Sequence, residues 1–173
     1  MNAPCRECIK TVERVYWKMV VSNDEKESRM KIKTKLINTT DQQFIPTRKY
    51  PKDAGADLRA RIDQSIVLHP EKSVKIPTGI AVEIPEGYVG DVRPRSGAAV
   101  EGKLTISGTI DSNYRGEISL NVLNVSDKTL TIEPGERLAQ LVILPYLSTD
   151  FEQVDELTES DRGVNGFGST GKY

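Results

Sequence analysis

Cysteine and histidine are scarce in this chain. Its two cysteines, Cys5 and Cys8, lie close together near the N-terminus, and His69 is the single histidine. A disulfide framework needs more cysteines than this, and a structural zinc site takes four ligands of these residue types. The sequence therefore argues against both in the body of the chain, and we interpret the two cysteines as incidental residues of an N-terminal segment.

Long apolar runs and a surplus of positive charge are also missing. No stretch approaches the roughly 18 consecutive apolar residues of a membrane-spanning helix, and the first residues lack the apolar core of a signal peptide. The 24 basic and 25 acidic residues give a formal charge of -1, which argues against a general nucleic-acid-binding protein with a basic face. We expect a cytoplasmic protein that binds neither membranes nor nucleic acids.

The chain divides into three segments. Residues 1–29 carry mixed charge and only a weak helical pattern, and we expect a poorly ordered N-terminal extension. Residues 30–160 alternate polar and apolar side chains in short runs separated by glycine and proline, which predicts one all-β domain of the sandwich, barrel or jelly-roll kind. Residues 161–173 are rich in glycine, which predicts a flexible C-terminal arm. Because the β pattern begins at Met30, we hypothesise that Met30 is the natural start.

Most of the regular structure predicted in the body is β-strand. The one short helix is expected directly after Pro94, from Ser96 to Gly102. The strands are expected at 32–37, 64–69, 72–84, 87–93, 104–110, 116–125, 128–133 and 137–146.

Four glycine-containing segments carry the residues that suit chemistry. Residues 53–58 (DAGADL) place two carboxylates around a glycine, and residues 93–97 (RPRSG) place cations and a hydroxyl before a helix start, where free N–H groups suit an anion. Residues 108–116 (GTIDSNYRG) predict a hairpin with an acid and an aromatic side chain at its tip. Residues 162–172 (RGVNGFGSTGK) have the composition of a phosphate-binding loop without the Walker A order. Taken singly, each also fits a structural turn, a common loop or a disordered end.

Together and in this order, these segments resemble the motifs of a known family. With residues 137–143 (RLAQLVI) between the third and the last, they are similar to the five ordered motifs of the trimeric dUTPases of bacteria and phages. The resemblance covers about Met30 to Lys172. It implies a jelly-roll-like β-barrel that assembles as a homotrimer, with active sites at the subunit interfaces. The implied reaction is the hydrolysis of dUTP to dUMP and pyrophosphate, which keeps uracil out of DNA and supplies dUMP for thymidylate synthesis.

The resemblance also implies a role for individual residues. Asp111 matches the catalytic carboxylate that activates the water attacking the α-phosphorus. Asp57 matches an acid that supports the Mg²⁺ site through bound water, since this ion binds chiefly to phosphates and waters. The implied substrate-binding residues are Arg95, Ser96, Gly97, Gly108, Thr109, Ile110, Tyr114, Ser119, Gln140, Arg162, Phe167, Gly168, Ser169 and Thr170.

Selectivity for the base and the sugar is expected from the hairpin and the arm. The hairpin backbone would match the donors and acceptors of uracil, and an unpaired buried group on cytosine would cost ~1–3 kcal/mol. By the same resemblance, Tyr114 packs beneath the deoxyribose and excludes a 2′-hydroxyl. Phe167 stacks on uracil when the arm closes over the nucleotide as a lid. The family often has an acid where this chain has Asn113.

Three other readings compete with a pyrophosphatase. The dCTP deaminases share the fold and the motif order, but their catalytic glutamate falls at Asn121 here, and their phosphate segment usually runs Arg-Ser-Ser rather than Arg-Ser-Gly. Some phage dUTPases bind repressor proteins under nucleotide control, and this sequence names no such partner. A purely structural jelly-roll subunit would leave the joint occurrence of the five motifs without a reason.

Overall fold

The computed structural model describes residues 30–164. The extension predicted at 1–29 and the arm residues 165–173 lie outside the described residues. No helix within residues 30–164 has the length and the apolar character needed to cross a membrane. The strands are β1 (Lys33–Leu36), β2 (Ala56–Arg59), β3 (Ile66–Leu68), β4 (Ser73–Pro77), β5 (Ile80–Glu83), β6 (Tyr88–Pro94), β7 (Lys103–Ile106), β8 (Gly108–Ile110), β9 (Ser119–Asn124), β10 (Leu130–Ile132) and β11 (Arg137–Pro145).

Two short helical elements accompany the strands. The α-helix α1 spans Ser96–Val100 directly after β6, where a short helix is predicted, and a 3-10 turn spans Gln42–Phe44. The prediction of an all-β fold is therefore confirmed.

Antiparallel pairing joins the strands into four sheets. The largest has the order β2-β11-β6-β8, and the next has the order β4-β9-β7, while β1 pairs with β5 and β3 with β10. The side chains that alternate inward from these sheets meet in one core. As the low aromatic content predicts, the buried core side chains are aliphatic: Leu58, Ala60, Leu68, Ile76, Ile80, Val82, Ile84, Val92, Ile118, Leu120, Val122, Ile132, Leu138, Ala139 and Leu141.

The predicted strands are wrong at three places. The prediction omits β2, because the glycine and the two acids of DAGADL obscure an alternation in which Ala56 and Leu58 are buried. The run predicted at 72–84 is two strands, since Gly79 turns the chain with φ +73°. The run predicted at 104–110 is also two strands, β7 and β8, and these belong to different sheets.

The predicted hairpin at 108–116 is wrong in its pairing. Among the described residues, β8 pairs with β6, whereas β9 pairs with β4 on one side and β7 on the other. Both edges of β9 are therefore occupied, and β8 has no edge of β9 to pair with. Residues 111–118 instead form a loop that crosses from the four-stranded sheet to the three-stranded one. A turn is present in this loop, where the Tyr114 amide donates to the Asp111 carbonyl at 3.0 Å.

Candidate active site

A carboxylate joins two arginines on the four-stranded sheet. Asp57 of β2 forms an ion pair with each of them: Arg95 Nε lies 2.8 Å from Oδ1, and Arg137 Nη1 donates a hydrogen bond to Oδ2 at 3.2 Å. The Asp57 side chain is only 15% exposed, so these charged contacts are less screened by water than a surface ion pair. Asp57 therefore holds both guanidinium groups in fixed orientations.

Strand pairing explains why these groups meet. The register places Asp57 opposite Gln140 of β11, so both side chains emerge on the same face of the sheet. Arg95 follows the last residue of β6, and its Nη1 donates to the Arg137 carbonyl at 3.2 Å. Gln140 Nε2 donates to the Pro94 carbonyl at 3.1 Å. The central strand β11 thus connects all of these residues.

A groove of about 360 Å³ opens beside this cluster, and we call it the Arg95 groove. Its walls combine two cations, a serine hydroxyl and an amide, which are the donors that bind phosphate oxygens. Ser96 is exposed in the first turn of α1, and Gly97 follows it without lining the groove. The lining residues are Lys49, Asp53, Ala54, Gly55, Asp57, Arg95, Ser96 and Gln140.

Close packing at the floor of the groove requires a glycine. A Cβ added to Gly55 would lie 2.8 Å from Cδ and 3.0 Å from Cβ of Gln140. Because both the end and the base of the Gln140 side chain are that close, a rotation of its amide alone would not relieve the clash. Gly55 therefore sets the position of Gln140.

The loop at 111–118 borders a different part of the surface. Asp111 is exposed and lines two cavities, one of about 890 Å³ and one of about 330 Å³. Of the other predicted residues, Thr109 lines both cavities. The smaller cavity also contains Ile110, Tyr114 and Ser119. Gly108, the first residue of β8, is exposed and lines neither of them.

One acid on the rim of the larger cavity has a shifted pKa. Lys33 Nζ donates to Glu83 Oε1 at 2.8 Å, and this hydrogen bond holds the pKa of the Glu83 carboxyl below its ordinary value. The positive charges of Lys33 and Arg115 lower the pKa further. Both side chains are exposed, so the pair adds little to stability.

The Arg95 groove and the Asp111 loop are far apart on one protomer. The register pairs Ile110 with Gly90, which puts Asp111 level with Val89. Arg95, one residue beyond the end of β6, lies six residues further along the chain than Val89. At about 3.3 Å per residue, the backbone at Arg95 and the backbone at Asp111 are about 20 Å apart. The groove and the two cavities share no lining residue, so the Arg95 groove and the Asp111 loop are two separate regions of one protomer. We call these two regions the half-sites.

The outcome for the predicted residues follows this division. The structure brings Arg95, Ser96 and Gln140 together with Asp57, but not with Asp111 of the same chain. Arg162 is exposed in a turn beyond β11. The remaining predicted residues lie outside the described residues: Phe167, Gly168, Ser169 and Thr170.

Arg137 also belongs to this cluster, although its motif alone predicts no role for it. Its contact with Asp57 depends on the pairing of β2 with β11, two strands that are far apart in the sequence. The sequence shows an acid at position 57 and an arginine at position 137, but no local pattern predicts that their strands pair.

The described residues offer no group of three acidic, histidine or cysteine side chains that could hold a metal ion. Each oxygen of Asp57 already lies within ion-pair distance of an arginine nitrogen. A carboxylate has about four lone-pair positions, so Asp57 can still accept a hydrogen from a metal-bound water. These groups fit an Mg²⁺ ion that arrives on a triphosphate with several of its own waters, which is the usual preference of this ion.

Comparison with known proteins agrees with the motifs. The dUTPase family model matches residues 41–171. A deoxyuridine 5′-triphosphate nucleotidohydrolase of Fusobacterium nucleatum is 42% identical over 145 residues, which cover 82% of this chain and 99% of the relative. The Chlamydia pneumoniae protein of the same name is 49% identical over 131 residues, covering 73% of this chain and 90% of that protein.

Solved structures agree as well. A mutant dUTPase of Staphylococcus bacteriophage 80alpha, solved with dUpNHpp, superposes with a TM-score of 0.71 at 31% identity, covering 82% of this chain and 98% of that one. A mutant dUTPase of phage phi11 of S. aureus, described with a coordinated structural Mg(II) ion, gives a TM-score of 0.63 at 30% identity, covering 73% of this chain and 98% of that one. With its five motifs, its β fold and these relatives, the chain belongs to the dUTPase family.

Proposed function

We propose that this protein hydrolyses dUTP to dUMP and pyrophosphate, with Mg²⁺ as its cofactor and a water molecule as the nucleophile at the α-phosphorus. The observation that carries the proposal is the Arg95 groove, in which Arg95, Ser96 and Gln140 converge beside a half-buried carboxylate. The proposed role in the cell is to keep uracil out of DNA and to supply dUMP for thymidylate synthesis.

The groove suits the triphosphate because its arginine is held in place before the ligand arrives. Asp57 engages Nε of Arg95, and the Arg137 carbonyl engages Nη1. A guanidinium has five N–H donors, so the others stay available for phosphate oxygens. In this proposal, Ser96 donates near the bridging oxygen of the bond that breaks. Gln140 helps to hold the α-phosphate, and Asp57 orders the waters of the metal.

The loop at 111–118 supplies the other half of the reaction. The exposed carboxylate of Asp111 is a workable base that can orient a water within hydrogen-bonding reach. Bound Mg²⁺ would neutralise charge on the leaving pyrophosphate. Tyr114 and the backbone of Gly108, Thr109 and Ile110, with Ser119, would form the nucleoside pocket.

The separation of the half-sites supports a site shared between chains. Asp111 and Arg95 of one protomer are about 20 Å apart, too far to act on the same phosphorus atom. A homotrimer that brings the Asp111 loop of one protomer against the Arg95 groove of another would complete the site. Exposed apolar side chains beyond β11 also favour association, since Leu147 is 88%, Phe151 98% and Leu157 87% exposed in the single chain.

The arm completes the proposed site. Arg162, Ser169 and Thr170 would contact the phosphates, Phe167 would stack on uracil, and Gly168 would allow the backbone to approach closely. Closure of the arm as a lid would exclude water and strengthen the charged contacts. This part of the proposal comes from the motif resemblance.

The direct test is a panel of nucleotides. The protein is incubated with Mg²⁺ and each of dUTP, dCTP, dTTP, dATP and dGTP, and released pyrophosphate and ammonia are both measured. We expect pyrophosphate from dUTP alone. Ammonia from dCTP would identify a deaminase instead, although Asn121, exposed on β9, carries an amide that cannot act as an acid or a base.

Gly55→Ala tests the geometry of the groove. The added methyl must displace Gln140 from its hydrogen bond to the Pro94 carbonyl. We expect turnover of dUTP to fall about tenfold, the effect of losing one oriented hydrogen bond. Steady-state pyrophosphate release gives the rate, and thermal unfolding checks that the barrel stays folded.

Gln140→Ala is the matched variant for this test. If Gly55→Ala acts only through Gln140, the double variant should be no slower than the slower single variant, because the two changes remove the same contact. Losses that multiply in the double variant would show that Gly55 acts by another route.

A further inference from the structure

The end of the loop that carries Asp111 is fastened to the break between β4 and β5. Thr78 Oγ1 donates to the Ile118 carbonyl at 2.6 Å, and the Ile118 amide donates to the Ile80 carbonyl at 2.9 Å. Both Thr78 and Ile118 are buried. The loop therefore returns to the barrel at a fixed point, on the two sides of Gly79.

A carboxylate fills the gap at this break. Glu117 Oε1 accepts a hydrogen bond from the Gly79 amide at 2.8 Å. With φ +73°, Gly79 leaves the extended conformation of β4, and its N–H meets the carboxylate rather than a neighbouring strand. Hydrogen bonds from N–H groups to a carboxylate are roughly twice as strong as those between neutral groups. The side chain of Glu117 thus fixes its own backbone.

That backbone holds the tyrosine of the loop. Tyr114 Oη donates to the Glu117 carbonyl at 3.0 Å. The ring lies over Gly116, where an added Cβ would come within 2.6 Å of Tyr114 Cζ. Glycine at 116 lets the ring fold back on the loop, and the Glu117 carbonyl keeps it there. Tyr114, Glu117 and Ser119 all line the smaller cavity beside Asp111.

We infer that Glu117 is a positioning residue that holds Tyr114 and thereby sets the discrimination between dUTP and UTP. The inference rests on the proposed function, in which Tyr114 packs beneath the sugar. A ring fixed at both the Glu117 carbonyl and Gly116 cannot retreat to admit a 2′-hydroxyl. Without the Glu117 carboxylate, the Glu117 peptide and the ring bound to it lose their fixed position relative to Gly79.

The test compares kcat/KM for dUTP with kcat/KM for UTP. In Glu117→Ala, the ratio of the two should fall about tenfold, mainly because UTP is accepted better. Glu117→Gln keeps an oxygen acceptor for the Gly79 amide, and its ratio should stay within about twofold of the wild type. Glu117→Asp keeps the charge but shortens the side chain by one methylene, so its ratio should also fall. If Glu117→Ala does not fold, the ratio measured for Glu117→Asp tests the inference in its place.

Tyr114→Phe probes the other end of the same contact. Removal of the hydroxyl frees the ring from the Glu117 carbonyl, so the ratio should fall by a similar factor. The double variant with Glu117→Ala should fall no further than either single variant, because both break one chain of contacts. A purely structural role for Glu117 would lower the unfolding temperature and leave the ratio unchanged.

Glu133→Ala is the control, since it also removes a glutamate that accepts one hydrogen bond, here from the Ser65 hydroxyl. Its ratio should match the wild type. Suppose that the wild type is active on dUTP. If Tyr114→Phe and the Glu117 variant that folds (Glu117→Ala or Glu117→Asp) then keep the wild-type ratio, the inference is overturned and the proposed function stands. A wild type that releases no pyrophosphate from dUTP would overturn the proposed function and the inference with it.

Discussion

Asp111→Asn lowers the turnover of dUTP by about 100-fold or more and leaves nucleotide binding measurable, if Asp111 is the base. Asparagine keeps the size and most of the hydrogen-bonding capacity of aspartate, but it cannot accept a proton from water. Asp111 is exposed on its loop and is not part of the core. The substitution should therefore leave the unfolding temperature near that of the wild type. Pyrophosphate release measures turnover, and titration with a non-hydrolysable dUTP analogue measures binding.

Asp127→Asn is the matched control for this variant. Asp127 is also exposed, in the turn between β9 and β10, and it lines neither half-site. Its turnover should equal that of the wild type. Wild-type turnover in Asp111→Asn would remove Asp111 from the role of base, and loss of binding together with turnover would indicate a substrate contact instead.

Mixing two inactive variants should restore activity. Asp111→Asn protomers retain the Arg95 groove, and Arg95→Ala protomers retain the loop with Asp111. In the proposed shared site, the Asp111 loop of one chain meets the Arg95 groove of another, since the two are about 20 Å apart within one chain. In randomly assembled homotrimers from an equal mixture, about one quarter of the sites would combine two intact halves.

The mixture is prepared by co-refolding, and its activity is compared with each variant refolded alone. A chain that carries both substitutions, mixed equally with wild type, provides a second measurement. Shared sites predict about one quarter of full activity in that mixture too, whereas sites within single chains predict about one half. No recovery with the two single variants would contradict a site shared between Asp111 and Arg95 of different chains.

The sequence predicted the fold class because alternation of polar and apolar residues is a local signal. Strands such as β6 and β11 are found within one or two residues of their predicted bounds. The strand β2, which the pattern does not predict, overlaps DAGADL, where a glycine and two acids obscure the alternation of a strand. The break at Gly79 was hidden in an otherwise continuous β-like run. Both errors occur beside residues that we propose to be part of the active site.

Contacts between distant segments were beyond the reach of local patterns. The motifs named Asp57, Arg95 and Gln140, but their convergence depends on β11 lying between β2 and β6. The hairpin prediction was wrong because nothing local indicates that β4 and β7 occupy both edges of β9. The hydrogen bond from Gly79 to Glu117 could not be predicted for the same reason, since it joins residues 38 positions apart.

The distance between the two half-sites has a consequence for the protein in dilute solution. In the proposed mechanism a lone protomer would be inactive, because its Asp111 carboxylate and its Arg95 groove are about 20 Å apart. The specific activity would then depend on the protein concentration, and it would fall on dilution as the subunits dissociate. Newly synthesised chains would be inactive until their concentration was high enough for the subunits to assemble.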